Sequence, residues 1–361
     1  MEISAVINQI KEVQAKTLNY ITNQDGCLDD YLSFMNDIFQ NEKYYKMNDY
    51  LQLIFHISNS HRRSPFFFER IEQIIRYFKD AIIHTFSNLE IYNLFKCNKR
   101  LLLFLIEEKV ITVDDTIAYE LSQESDNYYY FHLEIHSFYD QENKEKYQVN
   151  NYLDFEWKRK RGENDNFLCQ LIQNDSIQEF VSFVNRKNLS LSTTIIEKSV
   201  FEANSFLLNK KPTLIEYAAF FGSLQIVKFL FLNNVELTPS LWLYAIHSNN
   251  ADLIHFLEAN KIKPENDSFE ECLKEAIICH HNNIAIYIQN NYFDKIEDMI
   301  EIIIQSHNYN FMEIDLNKSN VIYALIKNNY SLIVSFLENK PDFDINAQIK
   351  YYINIIFFAL I

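Results

Sequence analysis

One stretch constrains the fold of this chain more than any other: Thr213–Leu237, with the sequence TLIEYAAFFGSLQIVKFLFLNNVEL. It predicts two short helices joined by a tight turn at Gly222, because glycine adopts a left-handed backbone at no steric cost. Thr213 and Glu216 form a T-x-x-E capping box, which satisfies free backbone N–H groups at a helix start. Ala218–Ala219 allows a neighbouring helix to approach closely. The stretch therefore predicts a helical hairpin that buries one face of each helix.

The same two-helix pattern recurs in degraded form along the second half of the chain. The first small residue of each first helix serves as a marker, and these markers are Ala218, Ala245, Ala276 and Ala324. The steps between them are 27, 31 and 48 residues. The 27-residue step leaves too little chain for a long β-hairpin between repeats. The 48-residue step predicts an additional irregular segment around Phe293–Asn317.

Capping signals predict where three further helices of these units begin. Ser176 with Glu179 and Ser268 with Glu271 have the spacing of a capping box. Thr238-Pro239 predicts an N-cap followed by proline at the first helical position. These signals extend the two-helix pattern to both sides of the clearest unit.

The order of these parts resembles the ankyrin repeat, T-P-L-H-x-A-A-x-x-G-H-x-E-I-V-K-L-L-L. Residues 166–346 look like the divergent ankyrin-repeat proteins that are expanded in some protists and carry an upstream helical domain of unknown function. The phrases that carry the likeness are PTLIEYAAFFGS, LTPSLWLYAIH and CHHNNIAIYIQNN. Asn250, Asn283 and Asn328 stand near the expected Gly-His of the turns, and asparagine tolerates the left-handed conformation. The resemblance implies an ankyrin-like α-solenoid that acts as a binding scaffold.

The expected fold is all-α, with an N-terminal helical region followed by a solenoid of degenerate helix-turn-helix repeats. Residues 1–115 contain apolar side chains at helical spacing, and Asn88–Asp114 has the form of an early degenerate repeat. Residues 116–165 are acidic and rich in tyrosine, and they break the helical pattern. They are predicted to form an irregular or weakly helical insert followed by a basic linker. Residues 166–361 contain the ankyrin-like repeats.

Composition excludes several functional classes. The formal charge of −16 disfavours nucleic-acid binding, because phosphates would be repelled by most of the surface. Three glycines argue against phosphate-binding loops, and five scattered cysteines are typical of reduced thiols in the cytoplasm or nucleus. The longest apolar runs, such as Leu101–Ile106 and Ile355–Ile361, are too short to span a membrane. We expect a cytoplasmic protein.

The resemblance also implies candidate partner-binding residues. Phe220 and Phe221 match the two variable positions before the turn glycine, which in ankyrin proteins face the concave groove. His247 and Ser248 match the same positions in the next repeat. Aromatic side chains often dominate the energy of protein interfaces. The alternative is that both phenylalanines pack as core beneath the neighbouring repeat.

Three other clusters have two interpretations each. Cys272, Cys279 and His280–His281 suggest zinc, but the paired short spacings of structural zinc sites are missing, so we predict buried thiols at a turn and no metal. Lys158–Arg161 is either a nuclear import signal or a solvated linker. Tyr128–Phe131 is either a docking patch or a small satellite core.

These observations favour a non-catalytic protein–protein interaction scaffold that binds through its concave face. We expect neither enzymatic activity nor a cofactor, because nucleophile, nucleotide-binding and metalloprotease motifs are lacking. The acidic surface predicts a partner with a basic surface. Two alternatives remain: an adaptor subunit of an enzyme complex such as a ubiquitin ligase, and a structural scaffold that self-associates. The sequence leaves the oligomeric state open.

Overall fold

The computed structural model describes residues 3–41, 46–59, 66–139, 151–293 and 299–311. Across these ranges the chain is all-α, and the strand-like pairing within them is one isolated bridge between Ile195 and Thr213. None of the helices in these ranges is both long and apolar enough to cross a lipid bilayer. The all-α prediction is therefore confirmed.

The described residues of the first half form nine α-helices. They are α1 (Ile3–Thr22), α2 (Leu28–Asn41), α3 (Met47–Asn59), α4 (Phe67–Thr85), α5 (Asn88–Phe95), α6 (Lys99–Glu107), α7 (Asp115–Ser122), α8 (Ser125–Ile135) and α9 (Tyr152–Arg161). The predicted Asn88–Asp114 helix pair corresponds to α5 and α6.

The helices of the second half are shorter. They are α10 (Phe167–Gln173), α11 (Ile177–Lys187), α12 (Ser205–Leu208), α13 (Leu214–Phe220), α14 (Leu224–Leu232), α15 (Leu241–Ser248), α16 (Ala251–Ala259), α17 (Glu270–Ile278), α18 (Asn282–Tyr292) and α19 (Ile300–Gln305). The pairs α10–α11, α13–α14, α15–α16 and α17–α18 each consist of a first helix, a tight turn and a second helix.

The chain divides into two compact units. Unit 1 consists of Met1–Ile57 with Phe269–Ile361, and unit 2 consists of Ser58–Ser268. The predicted division into segments 1–115, 116–165 and 166–361 is based on repeat content rather than on compactness, and it stays a prediction.

In unit 1, the N-terminal helix packs against helices from the other end of the sequence. Helix α1 contacts α2 and the 3-10 turn Tyr309–Phe311, and α17 contacts α18 and α19. The side chain of Gln14 donates to Asn308 Oδ1 (2.6 Å) and accepts from the backbone N–H of Tyr309 (2.8 Å). These bonds satisfy an amide in a fully buried position, where an unpaired polar group would cost about 1–3 kcal/mol.

In unit 2, the helix pairs pack in sequence order. Helix α13 contacts α14, α15 and α10, and α11 contacts α14. Ala218, Ala219 and Ala245 are fully buried between these helices, as their small side chains predict. The capping box of Thr213 and Glu216 is present at the start of α13, with both reciprocal hydrogen bonds.

Each first helix ends in a turn with a left-handed residue. In unit 2 these residues are Asp175, Gly222 and Asn249; in unit 1 they are His280 and His307. The amide of the next residue usually bonds to a carbonyl five positions back, as in Ser223 to Ala218, which closes a Schellman motif. Because the chain has three glycines, the left-handed position of most of these turns is occupied by asparagine, aspartate or histidine.

The predicted turn positions need correction. The left-handed residue of the second turn is Asn249, whereas Asn250 is the N-cap of α16. At the next turn it is His280, and Asn283 lies inside α18. In each case the left-handed residue, Asn249 or His280, comes earlier in the sequence than the asparagine expected at the turn. Asn328 lies outside the described residues.

The predicted irregular segment is also partly wrong. The described part of Phe293–Asn317 contains α19 and a left-handed turn at His307. That turn follows the one at His280 by 27 residues, the same step that separates Gly222 from Asn249. The 48-residue step therefore contains another first helix. The marker Ala324 lies outside the described residues.

Three capping predictions are wrong in detail. Ser176 is the N-cap of α11, but its side chain makes no capping bond. Helix α15 begins after Ser240 rather than after Thr238, because Thr238 and Pro239 accept 3-10-type bonds from the first residues. Phe269, not Ser268, precedes α17.

Hydrogen bonds join consecutive turns within each unit. In unit 2, Ser223 Oγ donates to the carbonyl of Ile172 (2.5 Å), and Asn250 Nδ2 donates to the carbonyl of Gly222 (3.3 Å). In unit 1, His280 Nε2 donates to the carbonyl of Ser306 (2.8 Å). Each turn therefore fixes the position of the next first helix.

Candidate binding surface on helices α13 and α15

The residues predicted to bind a partner lie at the ends of two adjacent first helices. Phe220 ends α13, Phe221 follows it, and His247 and Ser248 end α15. The exposed fractions of Phe220, Phe221 and His247 are 0%, 1% and 3%, and Ser248 is half-buried. The structure brings the four residues together, but it places them beneath the surface. This burial matches the core alternative for the two phenylalanines.

The side chain that packs on Phe220 and His247 comes from outside the helix pairs. Phe206, in the one-turn helix α12, stacks on Phe220 with ring centroids 5.9 Å apart and planes 9° apart. Its ring also lies 5.1 Å from that of Tyr244, edge-on, and 4.1 Å from the imidazole of His247. Phe220, Tyr244 and His247 thus form an aromatic pocket that contains Phe206.

The connection between α11 and α13 positions Phe206, and we call residues 189–212 the covering loop. Asn204 caps α12, since its Oδ1 accepts from the amides of Phe206 (3.0 Å) and Leu207 (3.4 Å). A single helical turn is unstable alone, so its position depends on these caps and on the contacts of the loop.

Backbone hydrogen bonds hold the covering loop on both sides of α12. At the C-terminal end, the amide of Ile196 donates to the carbonyl of Pro212 (2.8 Å), beside the bridge between Ile195 and Thr213. At the other side of α12, the amide of Ala203 donates to the carbonyl of Gly162 (3.1 Å).

Phe201 adds an apolar anchor before α12. Its ring lies 5.6 Å from that of Phe155, 6.3 Å from Tyr129 and 6.4 Å from Tyr130. Edge-on and tilted aromatic pairs of this kind are worth about 0.5–1.5 kcal/mol each beyond the area that they bury. The segment with Phe206 is therefore held between two firm attachments.

Glu202 is a buried acid next to this anchor. Its Oε1 accepts from the amide of Asn204 (2.9 Å), whereas Oε2 has no hydrogen-bond partner among the described residues. The carboxyl lines a cavity with room for roughly one water molecule, beside Asn164 and Tyr217. Burial, with a smaller contribution from the nearby Glu163, raises the pKa of Glu202 to about 7. The carboxyl therefore titrates near neutral pH.

The basic cluster Lys158–Arg161, predicted to lie in a linker, forms the last turn of helix α9. The helix forms because Asn151 caps it and Gly162 ends it in a left-handed conformation. Every one of the four cations is paired with a carboxylate. The pairs are Lys158 with Asp154 and Asp165, Arg159 with Glu134 and Glu156, Lys160 with Glu107, and Arg161 with Glu163. A nuclear import signal at this position stays a prediction, and it would require these pairs to open.

The described part of the predicted insert is helical rather than irregular. It forms α7, α8 and α9, and it carries a core of its own in unit 2. Tyr130 and Phe131 are fully buried, and Tyr130 Oη donates to the carbonyl of Arg159 (2.8 Å) while Arg159 Nη1 donates to the carbonyl of Tyr130 (2.9 Å). The buried half of Tyr128–Phe131 therefore forms the satellite core.

The cysteine and histidine cluster of unit 1 also serves packing. Cys272 and Cys279 are buried, and burial raises the pKa of the Cys272 thiol to about 12. A thiol in that state is a poor metal ligand, because zinc binds the thiolate. His280 uses Nε2 for its bond to the Ser306 carbonyl. These contacts fit the predicted turn with buried thiols.

Comparison of the chain with protein-family models, with curated proteins and with solved structures found no match. The ankyrin resemblance therefore rests on the quoted residues, and the function must be inferred from geometry.

Sequence reasoning missed Phe206 and Glu202, which lie in the connection that the ankyrin pattern does not cover. One signal was present: Asn204 followed by Ser-Phe-Leu-Leu has the form of an N-cap before an apolar turn. No sequence signal places that turn over His247, because the contact joins residues about forty positions apart.

Proposed function

We propose that this chain is a non-catalytic protein–protein interaction scaffold. Its partner-binding surface is the face that the first helices α13 and α15 present to the covering loop, including Phe220, Phe221, His247 and Ser248. The observation that carries the proposal is the aromatic pocket, which is built on two helices in fixed register and accepts an aromatic side chain from a separate segment.

The rigidity of this surface supports the proposal. The turn hydrogen bonds between Asn250 and Gly222 and between Ser223 and Ile172 hold successive first helices in place. Asp175 adds to them by accepting from the amides of Gln225 (3.1 Å) and Ile226 (3.0 Å) at the start of α14. A surface that is already ordered loses little entropy when it binds a partner.

The charge of the chain supports a partner with a basic surface. The formal charge is −16, so long-range attraction accelerates association with a cationic partner and weakens as salt screens it. We expect the association rate to fall markedly between low and physiological ionic strength. An association rate that is independent of salt would contradict a basic partner. The location of the binding surface is tested by a separate experiment.

Site-specific photo-crosslinking in cells tests the surface directly. Crosslinkers at Ser205 and Asn209, which are exposed on either side of Phe206, should both capture one and the same protein. A crosslinker at Tyr119, an exposed residue of α7, is the matched control and should not capture it. Capture from all three positions alike, or from Tyr119 alone, would refute this surface. Capture of a second copy of the chain would favour the self-associating scaffold.

A further inference from the structure

We propose that the covering loop is a built-in competitor of the partner, and that the partner binds by placing an aromatic side chain in the pocket that Phe206 occupies. The inference rests on the proposed function and adds to it the chemistry of the partner: a protein segment with an exposed phenylalanine, tyrosine or tryptophan. In the unbound chain the pocket is closed by the chain's own Phe206.

The pocket has the shape of an aromatic recognition site. Phe220 offers a ring face to Phe206, Tyr244 offers an edge, and His247 lies at 4.1 Å on a third side. Phe220, Tyr244 and His247 are each at least 95% buried in the closed chain, whereas Phe206 itself is only half-buried. The walls therefore belong to the rigid helices, and the occupant belongs to the loop.

The occupant can leave without dismantling its attachments. The anchors at Ala203 and at Pro212 lie on opposite sides of α12, so residues 204–211 can swing away while both ends stay bound. The loss comprises one helical turn, the burial of Leu207, the ring contacts of Phe206 and the approach of Lys210, whose Nζ lies 5.6 Å from the Phe206 ring. A partner ring restores the contacts that Phe206 makes with the pocket.

Competition sets how strongly the partner binds. The apparent dissociation constant equals the intrinsic constant divided by the fraction of open molecules. Removing the Phe206 ring should raise that fraction toward one. We therefore expect a substitution of Phe206 to tighten the binding of an aromatic ligand by roughly tenfold or more.

The test uses the full chain and a peptide with the sequence of residues 201–211, FEANSFLLNKK. We expect this peptide to bind the Phe206→Ala chain at least about tenfold more tightly than the wild-type chain. The same peptide with alanine in place of Phe206, and with Phe201 kept, is the matched control and should bind neither chain. Equal binding to both chains, or no binding to a Phe206→Ala chain that retains its helical circular dichroism, would overturn the proposal.

A second measurement covers the case in which Phe206→Ala does not fold. Saturating the wild-type chain with the same peptide should accelerate amide exchange at Phe206 and Leu207, because α12 is displaced. Amides of α4 should not change. Unchanged exchange at α12 under saturating peptide would overturn the proposal.

The crosslinking result separates the two failures. Ser205 and Asn209 lie two and three residues from the anchors at Ala203 and Pro212, so both stay beside the pocket when α12 is displaced. If Ser205 and Asn209 capture a partner whose binding does not respond to Phe206→Ala, the proposed surface stands and the competition is refuted. If neither position captures a partner, the proposed function fails whatever the peptide does.

Discussion

The turn after α13 in unit 2 and the turn after α17 in unit 1 have the same backbone and different chemistry. Gly222 has a φ of +66° and His280 a φ of +54°. Gly222 lies against the next turn, where a Cβ would stand 3.2 Å from that of Ser248, whereas His280 reaches the next turn with its ring and bonds to Ser306. One turn depends on a missing side chain and the other on a particular one. A left-handed position therefore does not by itself predict which residue belongs there.

The largest effect is expected for Gly222→Val. A β-branched residue in the left-handed region costs about 1–2 kcal/mol, and the contacts with Ser248 and Asn250 add a similar amount. We expect a loss of about 3 kcal/mol in the free energy of unfolding of unit 2, measured by denaturant titration. Gly26→Val is the control, because Gly26 is not among the glycines with positive φ. Equal losses of unfolding free energy in the two variants would show that the close contact of Gly222 with Ser248 and Asn250 is not what makes the position sensitive.

Acidification should act on unit 1 through a second histidine turn. Burial, with a smaller contribution from His56, lowers the pKa of His307 to about 3; the two imidazole rings are stacked with centroids 5.0 Å apart. Below pH 6.5 His307 is protonated in the unfolded chain but stays neutral in the folded chain. The free energy of unfolding therefore falls as the pH falls toward 3. Between pH 6.5 and 5 the loss from this residue is about 2 kcal/mol.

His307→Asn tests this sign. Asparagine tolerates the left-handed backbone and does not titrate, so the acid sensitivity of unit 1 should decrease by about the same 2 kcal/mol. The measurement is the difference in unfolding free energy between variant and wild type at pH 8 and at pH 5. A difference that does not change with pH would mean that His307 is not held neutral.

His280→Gly separates strain from bonding. Glycine relieves a left-handed cost of about 1 kcal/mol, but it removes a buried ring and leaves the Ser306 carbonyl without its donor. We expect a net destabilisation of about 1–2 kcal/mol. If thermal melts instead show that the variant is more stable, His280 is only a strained substitute for glycine, and the contrast between the two turns disappears.

The smallest effect, of opposite sign, is expected for Asn249→Gly. Asn249 is exposed and left-handed with a φ of +51°. Glycine removes the steric cost there at the expense of a more flexible unfolded chain, so we expect a gain of about 0.5 kcal/mol. A clear loss in the melting temperature would show that the Asn249 side chain contributes contacts that its exposure does not suggest.

Local signals in the sequence predicted the helices well. The capping box of Thr213 and Glu216, the turn at Gly222 and the α5–α6 pair each depend on residues a few positions apart. Signals that compete locally predicted less: Asn250 and Asn283 were both plausible turn residues, and neighbouring residues took the left-handed positions instead. Long-range features were not predictable, since nothing in the sequence joins Gln14 to Asn308 or Phe206 to His247. The sequence allowed both exposure and burial for Phe220 and Phe221, and the structure buries them. Their role in partner binding stays a prediction.

The anchoring of the covering loop also constrains the order of folding. Pairs such as α13–α14 close over short stretches of chain, and contacts between residues close in sequence form early. Phe201, by contrast, packs on Tyr129, Tyr130 and Phe155, so its anchor cannot form until helices α8 and α9 are in place. The loop should therefore close late during refolding. A newly made chain then passes through a stage in which its helix pairs are complete and the ring of Phe206 has yet to arrive.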